Sequence, residues 1–250
     1  MRTAVAAVRS VAAYTAVSLY VLVAAPIGMA LALAFRWKSL LYVLGHWGVS
    51  LGTSLAGIRT RVIGREHLAP SQAVVFCCNH QSNIDPPILF QALHPRLHIL
   101  FKRELTQLPL LGRAFQIGGF VPIDRHSREH SMAAIEQAAE SLRQGNSFLT
   151  FPEGTRSRTG DLLPFKRGPF LMALKAQVPV VPVAISGGTA SMRKGSPIVR
   201  PTLVTVRIGK PVETRGMDLS HRETLADEVR SRVAQLLTVA EHNQREYTEH

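Results

Sequence analysis

A histidine and an aspartate five residues apart, His80 and Asp85, are the residues in this sequence best suited to chemistry. A free imidazole has a pKa of about 6.5, so His80 can accept a proton from a hydroxyl near neutral pH and return it later. The carboxylate of Asp85 can hold the ring in one tautomer and stabilise its charged form. The pair therefore indicates general acid–base chemistry.

This spacing requires a turn between the two residues, because on one regular helix their side chains would point about 140° apart. Residues 73–78 have the pattern of a buried strand, and Asp85-Pro86 is a typical helix start. We therefore expect His80 in the loop at the carboxyl end of a strand, where open α/β sheets bind ligands.

Four further segments follow this pair in a fixed order. NHQSNIDP at 79–86 precedes KREL at 102–105, GGFVPIDR at 118–125, FPEGTRS at 151–157 and VPVVPVAI at 178–185. The succession resembles the glycerolipid acyltransferases, in particular the 1-acyl-sn-glycerol-3-phosphate (lysophosphatidic acid) acyltransferases. The resemblance implies direct transfer of a fatty acyl group from a thioester to a lysolipid hydroxyl, with no acyl-enzyme intermediate.

The resemblance also implies a role for each candidate site residue. His80 is implied to be the general base and Asp85 the residue that orients it, while Arg125 binds the phosphate of the acceptor. For Lys102 a phosphate or pantetheine contact is implied, with a plain surface lysine as the alternative. The remaining implied substrate-binding residues lie in the third motif and are Glu153, Gly154, Thr155 and Arg156.

Elementary chemistry supports part of this assignment. The planar guanidinium fork of Arg125 or Arg156 matches phosphate oxygens and keeps its charge at neutral pH. Gly154 allows close backbone approach after a strand, and neighbouring N–H groups could stabilise an oxyanion. A thioester is already activated, so we expect no metal and no cofactor beyond the co-substrate, which is acyl-CoA or an acyl-carrier-protein thioester.

The amino-terminal part of the chain is strongly apolar. Residues 10–35 contain no charged residue or histidine, and His46 is the only such residue in 39–58. The first run is long enough to span a bilayer and the second is borderline. Pro26 can kink the first helix, so a re-entrant hairpin is the alternative to two full spans. We predict a membrane anchor over 1–58 and a catalytic domain over 59–250.

Two further observations bear on the orientation of this segment. Ala32-Leu33-Ala34 resembles a signal-peptide cleavage site, but the apolar run is longer than a usual signal core, which favours an uncleaved anchor. If both segments cross, the basic residues at 2, 9, 59, 61 and 65 share one side and those at 36 and 38 the other. The positive-inside rule then predicts a catalytic domain on the cytoplasmic face of a membrane, in this case a bacterial inner membrane.

The net charge of +12 indicates anionic partners. Such an excess attracts anionic membrane lipid and phosphorylated substrates. It would also suit nucleic acid, but the basic segments show no helix-turn-helix, zinc-finger or aromatic-interleaved pattern. We therefore predict lysophosphatidic acid, the acyl donor and anionic membrane lipid as partners, and no nucleic acid.

Three other sequence features have simpler interpretations. Cys77 and Cys78 are adjacent, and on a strand they point to opposite faces, so we expect buried thiols and no disulfide, with a Cys78 nucleophile as the alternative. Residues 48–52, GVSLG, match a serine-hydrolase elbow but lie in an apolar helix, which favours helix packing. Residues 187–190, GGTA, fit either a phosphate cradle or a tight turn.

The catalytic part alternates strand-like and helix-like stretches. Helices are predicted over 131–143 and from about Ser220, where Ser220 and Glu223 form a capping box ahead of an apolar face at 225, 229, 233, 236 and 240. The fold class is α/β, with a mixed central sheet flanked by helices and preceded by a membrane-embedded two-helix segment. Strands are predicted at 73–78, 97–101, 120–123, 147–151, 180–185 and 203–208.

From the resemblance we expect an acyltransferase that converts 1-acylglycerol 3-phosphate to phosphatidic acid. Within the same class, the acceptor could instead be another lysolipid or glycerol 3-phosphate. From other classes, a lipid hydrolase with the same base or a lipid-binding protein remains open. Thioester-dependent consumption of a lysolipid distinguishes these alternatives.

Overall fold

The computed structural model of the chain describes residues 2–69, 72–93, 97–124, 127–157 and 159–246. Within these ranges seven strands form one sheet between helical layers. The strands are β1 (Ile58–Ile63), β2 (Val75–Cys78), β3 (Leu97–Lys102), β4 (Val121–Ile123), β5 (Ser147–Thr150), β6 (Val180–Ser186) and β7 (Thr202–Ile208). The helices are α1 (Arg2–Ala34), α2 (Ser39–Ala56), α3 (Asp85–Ala92), α4 (Leu111–Ile117), α5 (Arg128–Arg143), α6 (Gly168–Ala176), α7 (Gly188–Ser191) and α8 (Arg222–Glu246).

The sheet is mixed in direction, as the sequence predicted. Its strand order is β1-β7-β6-β2-β5-β3-β4. The five strands from β6 to β4 run parallel to one another, whereas β7 is antiparallel to β6, and β1 is parallel to β7. The carboxyl ends of five strands therefore meet at one edge of the sheet, which we call the carboxyl edge.

Alternate residues of the strands belong to two apolar cores, one on each face of the sheet. In β2, Phe76 and Cys78 belong to the core of the first face, and Val75 and Cys77 to that of the second. The first face is covered by α3 and by residues of α1 and α2, and the second by α5, α6 and α8. Burial on both faces explains why these strands read as continuous apolar runs.

Helices α1 and α2 form an antiparallel hairpin joined by only four residues. Glycines allow the close approach: a Cβ on Gly28 would lie 2.6 Å from Leu44, and one on Gly48 would lie 2.9 Å from Tyr20. A Cβ on Gly52 would likewise contact Val17. The GVSLG run is thus helical and packs against α1, which confirms its interpretation as helix packing rather than a nucleophile elbow.

The hairpin is also docked on the first face of the sheet. Tyr42 of α2 is 7% exposed and donates a hydrogen bond of 2.6 Å to the carbonyl of Gly118. The hydroxyl of Ser10 in α1 accepts a hydrogen bond of 2.8 Å from the Val199 N–H. Most of the large apolar side chains that remain exposed in the described ranges lie on the outer surface of this hairpin.

One helix in the described ranges is long and apolar enough to cross a membrane, namely Thr3–Ala34, with a mean hydropathy of 2.2. It continues without interruption through Pro26. Helix α2 has 18 residues, which at about 1.5 Å per residue is shorter than the ~30 Å hydrocarbon core. An apolar amino-terminal helix of this kind is compatible with membrane association.

All six predicted strands are present, with bounds shifted by at most two residues. Strand β1 was not predicted; it is an edge strand in which apolar Ile58 and Val62 alternate with Arg59 and Arg61. The prediction of a capping box at Ser220 was wrong.

The cap lies two residues earlier in the chain. The Asp218 side chain accepts from the Ser220 N–H at 2.8 Å and forms the capping box with His221, while α8 itself begins at Arg222. Asp218 thus caps the 3-10 turn Leu219–His221 that precedes α8, and its carboxylate carries the negative charge that a helix amino terminus favours.

We predict that His98 makes the fold less stable in acid. Burial, and then the charge of Lys38, lower the pKa of His98 from 6.5 to about 4. Between these values the unfolded chain binds a proton that the folded chain does not, so stability falls as the pH drops through this window. Between pH 7 and pH 5 this amounts to about 2 kcal/mol.

The variant His98→Phe tests this prediction, because a phenyl ring suits the aromatic neighbours Tyr42, Phe120 and Phe148. Thermal unfolding in detergent should lose stability between pH 7 and pH 5 more steeply for the native chain than for the variant. Equal slopes for the two proteins would contradict the prediction.

Candidate active site

His80 and Asp85 meet as the spacing predicted. Nδ1 of His80 lies 2.9 Å from Oδ2 of Asp85. His80 follows β2 in a loop at the carboxyl edge, and Asp85 is the first residue of α3. With Nδ1 directed at the carboxylate, Nε2 is the ring nitrogen left to exchange a proton with a substrate. The His80 side chain is 14% exposed and that of Asp85 is wholly buried.

The buried carboxylate of Asp85 is held by the chain that precedes it. Its Oδ2 accepts hydrogen bonds of 2.7 Å from the N–H groups of both Gln81 and Ser82. These bonds stabilise the buried charge at Oδ2, whereas Oδ1 has no hydrogen-bond partner among the described residues. On the other side, a Cβ on Gly188 would lie 2.5 Å from Oδ1 of Asp85, so only glycine fits there. The GGTA segment thus lies directly against the dyad.

The backbone of His80 is fixed from both sides by the third motif. Its N–H donates to Oε1 of Glu153 at 2.6 Å, and its carbonyl accepts from the Ser157 N–H at 2.9 Å. The imidazole stacks on Phe151, with ring centroids 4.1 Å apart. The segment 151–157 therefore supports the base as well as lining the site.

Glu153 makes two backbone hydrogen bonds that the sequence did not reveal. Besides the His80 N–H, it accepts from the Leu163 N–H through Oε2 at 3.0 Å, and the residue is 4% exposed. Burial raises the pKa of Glu153, and the hydrogen bonds from His80 and Leu163 oppose that shift. In this arrangement Glu153 ties the His80 loop to the loop before α6, while its predicted substrate contact stays a prediction.

The predicted substrate-binding residues share the carboxyl edge with the dyad. Glu153 to Arg156 follow β5, the direct neighbour of β2, and Lys102 ends β3, the next strand. Lys102 is exposed and pairs with Glu104 at 2.9 Å, which lowers the pKa of that carboxyl group. Arg125 follows β4 in sequence but lies outside the described residues.

Arg156 lies beside a second basic side chain. No hydrogen bond or ion pair joins its side chain to another residue in the described ranges. Its carbonyl accepts from Nζ of Lys194 at 3.0 Å, and the same ammonium lies 3.5 Å from the Thr155 hydroxyl. This part of the carboxyl edge thus presents positive charge suited to a phosphate.

Gly154 adopts a left-handed conformation that favours glycine, with φ of +70°. Its N–H donates to the Phe151 carbonyl at 3.0 Å, so this particular N–H is already engaged in the turn. A Cβ on Gly154 would lie 2.8 Å from Cε of Lys166, whose side chain covers the turn. Lys166 is a further basic residue at the site that the motif pattern does not include.

Cys77 and Cys78 are buried and free, as predicted. Burial raises the pKa of Cys77 to about 12 and that of Cys78 well above its ordinary value. A thiol must ionise to act as a nucleophile, so the arrangement disfavours Cys78 in that role.

Three residues within the segments named above have roles at the site that the sequence did not predict. They are Gly188, Phe151 and Asn79, whose side chain pairs with both backbone groups of Ile185 at 2.8 and 3.0 Å. Their position within the motifs, or directly after a predicted strand, was the one sequence feature that indicated a place at the site. The contacts that define their roles join β2 to β5 and β6, which lie far away in sequence.

Comparison with known proteins identifies the family of this chain. A model of the Acyltransferase family matches residues 59–186, about half of the chain, and the chain belongs to this family. One similar solved structure is the 1-acyl-sn-glycerophosphate (LPA) acyltransferase PlsC from Thermotoga maritima. It has a TM-score of 0.79 and 25% identity, with 94% of this chain and 97% of that chain covered.

Two curated relatives carry a related name. 1-acyl-sn-glycerol-3-phosphate acyltransferase alpha of Mus musculus is 36% identical over 178 residues, which is 70% of this chain. 1-acyl-sn-glycerol-3-phosphate acyltransferase of Limnanthes douglasii is 31% identical over 192 residues, with 75% of this chain and 68% of the relative covered. The chain spans 62% of the length of the mouse protein.

We predict that His80→Ala lowers turnover at least about a hundredfold, the usual effect of losing a positioned base. The purified membrane-integrated variant is compared with His130→Ala, which removes an exposed imidazole from α5. Asp85→Asn should also be severely impaired, because its amide cannot stabilise a charged imidazole. Near-normal turnover of folded His80→Ala would contradict the assignment of the base.

We predict that Glu153→Gln lowers kcat about tenfold or more and leaves the KM for the acceptor nearly unchanged. The amide keeps one acceptor oxygen, so one of the two N–H groups now held by Glu153 loses its partner, at a cost of about 1–3 kcal/mol. Glu136→Gln, which changes an exposed carboxylate, is the control. A raised acceptor KM with unchanged kcat would instead indicate direct substrate contact.

Proposed function

We propose that this protein transfers a fatty acyl group from an acyl-CoA or acyl-carrier-protein thioester to the sn-2 hydroxyl of 1-acyl-sn-glycerol 3-phosphate. The product is phosphatidic acid, as in phospholipid biosynthesis. The observation that carries the proposal is the His80–Asp85 pair, at an edge where Arg156 has no side-chain partner among the described residues. The names of the curated relatives and of the Thermotoga maritima structure support this acceptor.

The geometry supports direct attack on the thioester. Nε2 of His80 takes the proton from the acceptor hydroxyl while its oxygen bonds to the thioester carbonyl carbon. The Asp85 carboxylate stabilises the imidazolium that forms. The carbon–sulfur bond then breaks, and the imidazolium returns the proton to the leaving thiolate. Every atom is accounted for by the two substrates and one base.

We propose that this reaction needs neither a metal nor an organic cofactor. In the ranges that the structure describes, no three His, Cys, Asp or Glu side chains form a possible metal site. The charges that suit the acceptor phosphate are instead those of Arg156 and, from the motif resemblance, Arg125. Chelation should therefore leave activity nearly unchanged.

We further propose that the α1–α2 hairpin places the carboxyl edge at a membrane surface, with the catalytic part on the cytoplasmic face of a bacterial inner membrane. Each buried CH₂ is worth about 0.8 kcal/mol, so a long-chain acceptor stays in the bilayer and the enzyme must reach it there. The exposed apolar surface of the hairpin supports this placement. Anionic lipid would be the partner of the basic residues beside it.

The decisive experiment incubates the purified full chain in lipid with labelled acyl-CoA or acyl carrier protein and a panel of acceptors. The panel contains 1-acylglycerol 3-phosphate, glycerol 3-phosphate and lysolipids with other headgroups. Labelled phosphatidic acid is the expected product. Free fatty acid from phospholipid alone would indicate a hydrolase, and binding without turnover would indicate a lipid-binding protein.

We predict that Arg156→Ala weakens acceptor binding by about 1.5–3 kcal/mol, the scale of a charge-assisted hydrogen bond. Binding of the acyl donor should change much less. Arg215→Ala is the control, because Arg215 is an exposed arginine in the loop beside Gln177, far from the carboxyl edge. Equal losses for donor and acceptor would argue against a phosphate contact by Arg156.

A further inference from the structure

At the β1–β7 end the second face of the sheet is strongly basic: Arg59 and Arg61 are exposed there, whereas Arg207 is buried. In the parallel pairing of these strands, Arg59 lies beside Leu203 and Arg61 beside Thr205. The adjacent residues Ile58, Val204 and Val206 point into the core of the first face. Because side chains alternate along a strand, Arg59, Arg61 and Leu203 point to the second face. We call the surface formed by Arg59, Arg61, Leu203 and Arg207 the basic sheet face.

Arg207 is the least expected member of this face. It is only 7% exposed, yet no carboxylate in the described ranges pairs with it, and no hydrogen bond of its guanidinium is present there. Burial, and then the positive charge of Arg61, lower the pKa of Arg207. Its guanidinium nitrogens are not among the buried unpaired atoms, so the charged head reaches solvent and can pair with an anion supplied from outside the chain.

The basic sheet face reaches the edge that carries the active site. Arg59 and Leu203 lie near the starts of β1 and β7, which is the carboxyl edge because both strands oppose β6. There a Cβ on Gly187 would lie 2.6 Å from the Leu203 carbonyl, and the next residue, Gly188, touches Asp85. Three strand spacings, about 14 Å, separate β1 from β2.

The face points away from the apolar surface of the hairpin. Helices α1 and α2 cover the first face of the sheet, and their exposed apolar side chains lie outward from it. The basic sheet face belongs to the opposite side, beside α8. A soluble partner has access to that side, whereas a membrane held by the hairpin does not.

We propose that the basic sheet face docks an acyl carrier protein, a small acidic protein, as the donor in the reaction proposed above. Its carboxylates would pair with Arg59, Arg61 and Arg207, and Leu203, 46% exposed, would supply an apolar contact. The flexible phosphopantetheine arm spans the distance to His80. The inference rests on the proposed acyl transfer, in which the carrier leaves as the free thiol after taking the proton from His80.

The shape of the face favours a protein over coenzyme A itself. Arg59, Arg61 and Leu203 are exposed on two adjacent strands whose axes lie about 5 Å apart, a surface that a protein can cover, whereas small ligands bind mostly in concave sites. Charge complementarity over such a surface acts mainly by accelerating encounter, and it weakens as salt is added.

The test compares the full chain with Arg61→Glu, using palmitoyl acyl carrier protein and palmitoyl-CoA as alternative donors. Arg215→Glu makes the same charge change at the opposite edge of the sheet and is the matched control. We expect Arg61→Glu to lower kcat/KM at least about tenfold with the carrier and less than about twofold with CoA, with the carrier reaction slowed by salt. Thermal unfolding verifies that both variants fold.

Equal losses with the two donors, or no loss with the carrier, would overturn the proposal. So would loss of binding to phosphatidylglycerol vesicles in Arg61→Glu, because the face would then bind lipid. Binding of unacylated carrier to the full chain is measured separately. If the native chain binds carrier through Arg61 but transfers from neither donor, docking stands and the proposed function fails; if only transfer from CoA is seen, docking fails alone.

Discussion

The site depends on one buried charge. The carboxylate of Asp85 is completely removed from water and therefore needs hydrogen-bond donors. Three groups supply hydrogen bonds to its Oδ2: the His80 ring and the N–H groups of Gln81 and Ser82. These donors come from the loop between β2 and α3. The path of that loop is therefore fixed by the same contacts that orient the base, and fold and chemistry cannot vary independently here.

The parallel arrangement of β2, β5 and β3 allows residues of other strands to fix the His80 loop as well. Because the carboxyl ends of these strands share one edge, the segment after β5 lies within hydrogen-bonding reach of the His80 backbone. Glu153 uses both oxygens to join that loop to Leu163. Preorganisation of this kind means that little of the backbone near the base has to move when a substrate arrives.

The sequence allowed prediction of much of the fold because most of its strands are buried on both faces and read as continuous apolar runs. Edge strand β1 could not be predicted in this way, because half of its residues are arginine or threonine and it directly follows an apolar helix. At the site, the pair His80 and Asp85 was predictable from local spacing. The hydrogen bonds of Glu153 and the close approach of Gly188 were not, because their partners are distant in the chain.

The amino-terminal hairpin shows why the division at residue 58 is physically less sharp than the sequence suggests. Ala13, Tyr42 and Ala56 belong to the same apolar core as strand residues of the sheet, and Tyr42 also bonds to Gly118. The segment that presents apolar surface outward therefore completes the catalytic fold inward. Since α2 packs against α3, which begins at Asp85, any lipid contact that held the hairpin would also fix the carboxyl edge relative to the membrane.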